Sequence, residues 1–148
     1  MRSPVLVNIM RVGRCFHAYR RRALKDTLLH PSQHLLLSRV CRQPGLRQEE
    51  LAGELFLDKT TVARQLIRME ELGFISRGPD PEDGRCRRIY PTALGEELYP
   101  RVHGAFEDFT RGLLEGFSAQ ELGQLEALTG RLLRNAEAMA PAERGQED

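Results

Sequence analysis

Gln48-Glu49-Glu50-Leu51-Ala52, then Asp58-Lys59-Thr60-Thr61-Val62-Ala63-Arg64-Gln65-Leu66-Ile67-Arg68, then Gly73-Phe74-Ile75-Ser76-Arg77 and Asp80-Pro81-Glu82-Asp83-Gly84-Arg85 follow one another between residues 48 and 95 and decide the fold. Read as local structure, they give two short helices, a sharp turn, a β-hairpin with a Pro/Asp/Gly tip and the start of another helix. Asp58 is a good N-cap, able to accept from the Thr60 or Thr61 N–H. Leu57 and Val62 are spaced as a hydrophobic staple. Val62, Leu66, Met69 and Leu72 repeat along one helix face, which leaves Lys59, Thr60, Thr61, Arg64, Gln65 and Arg68 outside. Gly73 supplies a left-handed stop. Side chains of these types hydrogen-bond base edges and phosphates, and an Arg-rich hairpin follows directly, so the stretch reads as a surface for duplex DNA.

Outward from this stretch the chain is mostly helical. Residues 5–24 carry Val5, Ile9, Val12, Phe16, Tyr19 and Ala23 as one seam, with Leu6, Met10 and Gly13 as a second stripe beside it. A helix this apolar wants more than one neighbour, which points to an oligomer. Pro31 suits the first turn of a second helix that ends before Pro44-Gly45, with Leu35, Leu36, Leu37 and Val40 inward. Gln48 to Leu55 forms a short third helix, weakly capped because Arg47 stands where Ser or Thr would serve better. Phe74–Gly78 and Arg87–Pro91 read as hairpin strands. Thr92 caps a long helix carrying Leu94, Leu98, Val102, Phe106, Phe109 and Leu113. Ser118-Ala119-Gln120-Glu121 is a capping box that opens a last helix. The polar tail from Pro141 is expected to fray.

Composition narrows the function classes. The 148 residues suit one compact domain or a domain with a helical extension, and 41% hydrophobic with 29% charged content is ordinary for a soluble protein. No apolar run approaches the roughly 20 residues of a membrane span, and no signal peptide is evident, so the expected location is cytoplasmic, with no membrane partner. Cys15, Cys41 and Cys86 are an odd number at wide spacing, against a secreted disulfide framework. No zinc spacing occurs. His30 and His34 are four apart, but Pro31 marks a helix start between them, and no metal or other cofactor is expected. The net charge of +1 conceals asymmetry: residues 1–30 carry +6, residues 59–90 carry +2 and residues 96–148 carry −6. Any affinity for a polyanion must therefore come from local placement. With no GxSxG, HExxH or P-loop, an enzyme reading has little support.

The order of elements resembles the MarR (multiple antibiotic resistance regulator) family of bacterial winged-helix transcription factors over nearly the whole chain. The specific part is the wing signature, Asp83-Gly84-Arg85 followed by Pro91-Thr92-Ala93-Leu94-Gly95. Pro91 departs from the usual Leu, and Gly84 stands where many members have a second Arg. The Asp-Lys-Thr-Thr-Val helix start and Gly-Phe-Ile-x-Arg also fit.

The resemblance implies a mainly α fold with a small β-hairpin wing. Residues 31–91 would form the winged helix-turn-helix, and 1–30 with 92–140 an intertwined dimerisation region. It implies a homodimer on double-stranded DNA with a pseudo-palindromic operator, acting as a repressor that a small aromatic or phenolic effector releases. Thr60, Thr61, Arg64, Gln65 and Arg68 would lie in or along the major groove, and Arg85 in the minor groove. Asp83 is expected to pair with a nearby Arg and fix the wing turn, with Gly84 supplying an unusual turn conformation. Arg77, Arg87 and Arg88 are candidates for phosphate contact or for such pairing.

Cationic neighbours would lower the thiol pKa of Cys86 and make it a redox switch, against the plainer reading of a small inward strand residue. Cys15 falls near the reactive cysteine of the family's hydroperoxide sensors, but Pro31 and His34 stand where the supporting tyrosines would be. Two alternatives therefore accompany the ligand-released repressor: a cysteine-oxidation trigger on the same fold, and a winged-helix protein-interaction module without DNA binding.

Overall fold

The computed structural model describes residues 3–140, so the expected frayed tail lies outside the described residues. Six helices and three strands follow in chain order: α1 (Pro4–Ala23), α2 (Pro31–Arg42), β1 (Leu46–Arg47), α3 (Gln48–Leu55), α4 (Lys59–Glu71), β2 (Ile75–Pro79), β3 (Arg87–Pro91), α5 (Ala93–Leu113) and α6 (Ala119–Met139). The sheet is antiparallel in the order β1-β3-β2.

The local signals fix the helix ends as the sequence suggests. The Thr61 N–H donates to Asp58 Oδ1 at 2.8 Å, and Gly73 takes φ +81° after α4. The Thr92 hydroxyl accepts from the Gly95 N–H and itself donates to the Gly73 carbonyl, tying the start of α5 to the end of α4. Ser118 and Glu121 form both halves of a capping box. Helix α3 is better capped than expected: the Glu50 carboxylate reaches back to the Arg47 N–H at 2.7 Å. The expected hairpin gains a partner, since β1 pairs Leu46 with Ile89 and Arg47 with Arg88. Its first strand begins at Ile75 rather than Phe74, whose carbonyl instead accepts from the Thr92 N–H.

The core is centred on α2. Leu36, Leu37 and Val40 pack with Leu51, Val62, Leu66, Met69, Ile75, Ile89 and Val102, all essentially without solvent exposure. Leu35 is only half-buried. Gly95 is where α5 crosses the hairpin: a Cβ there would lie 2.2 Å from the Phe74 carbonyl oxygen, so no larger residue fits. Helix α1 docks by its C-terminal half. Phe16 packs on Phe106 and Phe109 at centroid distances of 5.2 and 4.8 Å, and Tyr19 packs on Phe109. Arg20 lies buried over the Phe16 ring and donates to the Pro31 carbonyl.

The other half of α1 has no such neighbour. Val5, Leu6, Val7, Ile9, Met10 and Val12 are exposed, and α6 buries none of its residues. Between α1 and the α5–α6 corner runs an apolar groove of about 670 Å³ lined by Ile9, Val12, Leu113, Phe117 and Leu125. No helix among the described residues is long and apolar enough to cross a membrane.

Candidate nucleic-acid interface

Helix α4 buries Val62, Leu66 and Met69 and turns the opposite side outward. Thr60, Arg64 and Arg68 are exposed, and Lys59, Thr61 and Gln65 are half-buried at its edges. Arg68 is held by Glu71, three residues on, at 3.1 Å. Ile67 also belongs to the exposed side, 52% accessible, and the sequence reading passed over it. Helical arithmetic would have found it, because it lies three residues after Arg64 and seven after Thr60.

The wing is anchored by a residue the sequence reading did not single out. Asp80 is buried at the base of the hairpin, where its carboxylate accepts from Arg47 Nε at 2.7 Å and from Arg88 Nη2 at 3.3 Å. The Glu82 N–H, then the Arg47 guanidinium, hold its carboxyl below the ordinary carboxylate range. Asp80 thus has the arginine-pairing role expected of Asp83. The Asp83 carboxylate instead accepts from the Arg85 N–H at 3.0 Å and from the Cys86 thiol at 3.4 Å, a turn of purely local bonds. It still fixes the wing turn, by capping backbone rather than by pairing with an arginine. Gly84 does not take a positive φ, so this turn does not need the left-handed freedom of glycine.

Arg77 is half-buried, bound to Glu70 at 3.1 Å and to Gln48 at 3.5 Å, which makes it a brace between the hairpin, α4 and α3. Arg88 is likewise a brace, through Asp80 and the Gly45 carbonyl. Arg85 and Arg87 are exposed. Four cations of α4 and the wing, Lys59, Arg64, Arg85 and Arg87, have no acid within 4 Å among the described residues. Guanidinium and ammonium groups left free in this way are available to phosphate and base edges.

Cys86 departs from the lowered thiol pKa that its cationic neighbours suggested. The Cys86 thiol is pushed up, not down, chiefly by its bond to Asp83 and then by partial burial, and the residue lies in the loop before β3. Burial raises Cys41 to about 11. Cys15 is exposed on α1 and lines, with Arg11, Tyr19, Asp108 and Phe109, a second groove of about 690 Å³. His30 caps α2, accepting from the Ser32 N–H, while its own N–H donates to Gln33. His34 is buried against the Thr27 hydroxyl at 3.1 Å. No group of three potential metal ligands occurs among the described residues.

A three-stranded sheet behind the paired helices α3 and α4 defines a winged-helix class of protein. The MarR family profile matches residues 29–87. The HTH-type transcriptional regulator YybA of Bacillus subtilis is 32% identical over 135 residues, 91% of this chain and 90% of that one. The crystal structure of the transcriptional regulator SlyA superposes with a TM-score of 0.87 at 32% identity, covering 92% of this chain and 96% of that chain. A MarR-family regulator of Listeria monocytogenes, solved in complex with a 26mer DNA, shares the fold at a TM-score of 0.86 and 24% identity, covering 99% of this chain and all of that one. The chain belongs to the MarR family of transcriptional regulators, and is accordingly a regulator rather than an enzyme.

Proposed function

We propose that the protein is a homodimeric repressor that holds a pseudo-palindromic operator and releases it when a small aromatic or phenolic anion binds. The observation that carries the DNA half of this reading is the unpaired set Lys59, Arg64, Arg85 and Arg87 on α4 and the wing. Arg64 and Gln65 would address base edges, with Thr60, Thr61 and Arg68 beside them, while Arg85 enters the minor groove and Arg87 meets phosphate. Arg77 and Asp83 serve by bracing the wing. That a Listeria monocytogenes protein of the same fold was solved in complex with a 26mer DNA supports duplex DNA as the partner.

The dimer half rests on the uncovered apolar faces of α1 and α6. An exposed surface of this kind favours burial against a second copy. On this reading residues 1–30 and 92–140 form the dimerisation region and residues 31–91 the DNA-binding region, and a protein of this kind works in the cytoplasm.

The effector would suit the groove between α1 and α5, where Tyr19 and Phe109 offer aromatic faces and Arg11 a cation. An oxidation trigger at Cys86 is disfavoured by its raised thiol pKa, while Cys15 faces the same groove. Anisotropy titration of an operator duplex with and without a panel of aromatic carboxylates tests the release step. Release by at least one of them is expected, and indifference to the whole panel would leave the repressor without its trigger.

A further inference from the structure

Ile67 is the only large apolar side chain of α4 that faces outward: Val62, Leu66 and Met69 are buried. Its neighbours on the exposed side are Thr60 two turns earlier, Arg64 one turn earlier and Glu71 one turn later. Folding gives no reason for an isoleucine at this place. A β-branched residue is a poorer helix former than Ala, Lys or Arg, and at 52% exposure it gains little from burial. Within the chain α4 packs chiefly on α2, α3 and β2, and the exposed apolar runs that suit a second copy lie on α1 and α6.

The flanking Arg64 has no acid within 4 Å among the described residues and Glu71 is held by Arg68, so the part of the strip around Arg64 is open to a polyanion, and the Ile67 side chain beside it has no hydrogen-bonding capacity. In the major groove the one apolar group that a base pair presents is the C5-methyl of thymine. We propose that Ile67 is a specificity-determining residue that reads a thymine methyl in each half-site. This rests on the DNA-binding reading above and adds to it a base identity that hydrogen bonding through Arg64 or Gln65 does not supply.

The test uses the full chain and the duplex it selects from a random pool. Each thymine of the selected site is replaced in turn by deoxyuridine, which removes only the methyl group, and binding is measured by anisotropy. At one position per half-site the wild type should bind roughly fourfold more weakly, the value of one buried methyl. Ile67→Ala, exposed and favourable to the helix, should bind the thymine and uracil duplexes alike at that position. Its response to uracil elsewhere should match the wild type. If the wild type is indifferent to every uracil, or Ile67→Ala keeps the discrimination, the inference is overturned while the DNA-binding reading stands. If no duplex is bound at all, that reading fails and takes the inference with it.

Discussion

Arg47 and Asp80, 33 residues apart, close the base of the wing: the Arg47 Nε donates to the buried Asp80 carboxylate at 2.7 Å, and Arg88 meets the same carboxylate from the neighbouring strand. The N-cap of α3 is thereby joined to the hairpin, so the angle of the wing is set by the helix-turn-helix beneath it. Asp80→Ala should weaken DNA binding alike on A·T-rich and G·C-rich flanks, because it loosens the wing without removing a contact. Arg85→Ala should cost more on A·T-rich flanks, where the narrow minor groove concentrates negative potential. Titrations on matched duplexes at one salt concentration compare the two. Equal loss on both flanks for Arg85→Ala would make that residue a plain phosphate contact. The Asp80 carboxyl lies below the ordinary range, so the clasp is intact above about pH 4 and opens as pH falls through the lowered value.

Gly95 and Gly104 lie on the same helix and should respond oppositely to alanine. At Gly95 the new Cβ meets the Phe74 carbonyl, whereas at Gly104 it meets nothing within 4 Å. Gly95→Ala should destabilise the fold by about 3 kcal/mol. Gly104→Ala should be neutral or stabilising by up to about 1 kcal/mol. Urea unfolding of the two variants measures both, and an unperturbed Gly95→Ala would mean that α5 does not cross the hairpin this closely.

His34 gives the stability a pH dependence. Burial above all, with Arg20 and His30 adding to it, lowers its pKa to about 4. The unfolded chain takes up that proton near pH 6.5, well before the fold does. Stability is therefore fully present above about pH 6.5 and is lost as pH falls towards 4. The melting temperature of the wild type should fall more steeply across this window than that of His34→Gln, which keeps a partner for Thr27 but does not titrate. Parallel curves for the two would show that His34 is not the group responsible.

Leu128 and Leu132 are exposed one turn apart on α6. The protein should sediment as a dimer at micromolar concentration. Leu128→Glu with Leu132→Glu should shift it to a monomer that keeps the winged-helix fold, because α6 buries none of its residues within the chain. A double variant that remains dimeric would place the interface elsewhere.

Much of this architecture was legible because its signals are local. Asp58, Gly73 and Ser118 act on backbone within a few residues, as does Thr92 in capping α5, so these roles follow from sequence alone. What the sequence reading missed depends on residues far apart in the chain. The two residues of β1 have no strand signature of their own and pair only because the chain returns at Ile89. The choice of Asp80 over Asp83 as the arginine partner is likewise tertiary: both are Asp in the same turn-rich run, and only burial beside Arg47 separates them. Arg77 and Arg88, candidates for phosphate, turn inward because Glu70 and Asp80 stand opposite them. Ile67 lies within reach of helical periodicity, three residues after Arg64, but an isoleucine in an amphipathic helix reads first as core.

Sequencing of the duplex fragments that the purified protein enriches from a random pool tests dimeric operator recognition most directly. An inverted repeat with half-sites about 10 base pairs apart is expected, bound more weakly as salt rises. Arg64→Ala should weaken specific binding by about 1–3 kcal/mol. Enrichment of no motif, or of a single unrepeated half-site bound by a monomer, would contradict such recognition.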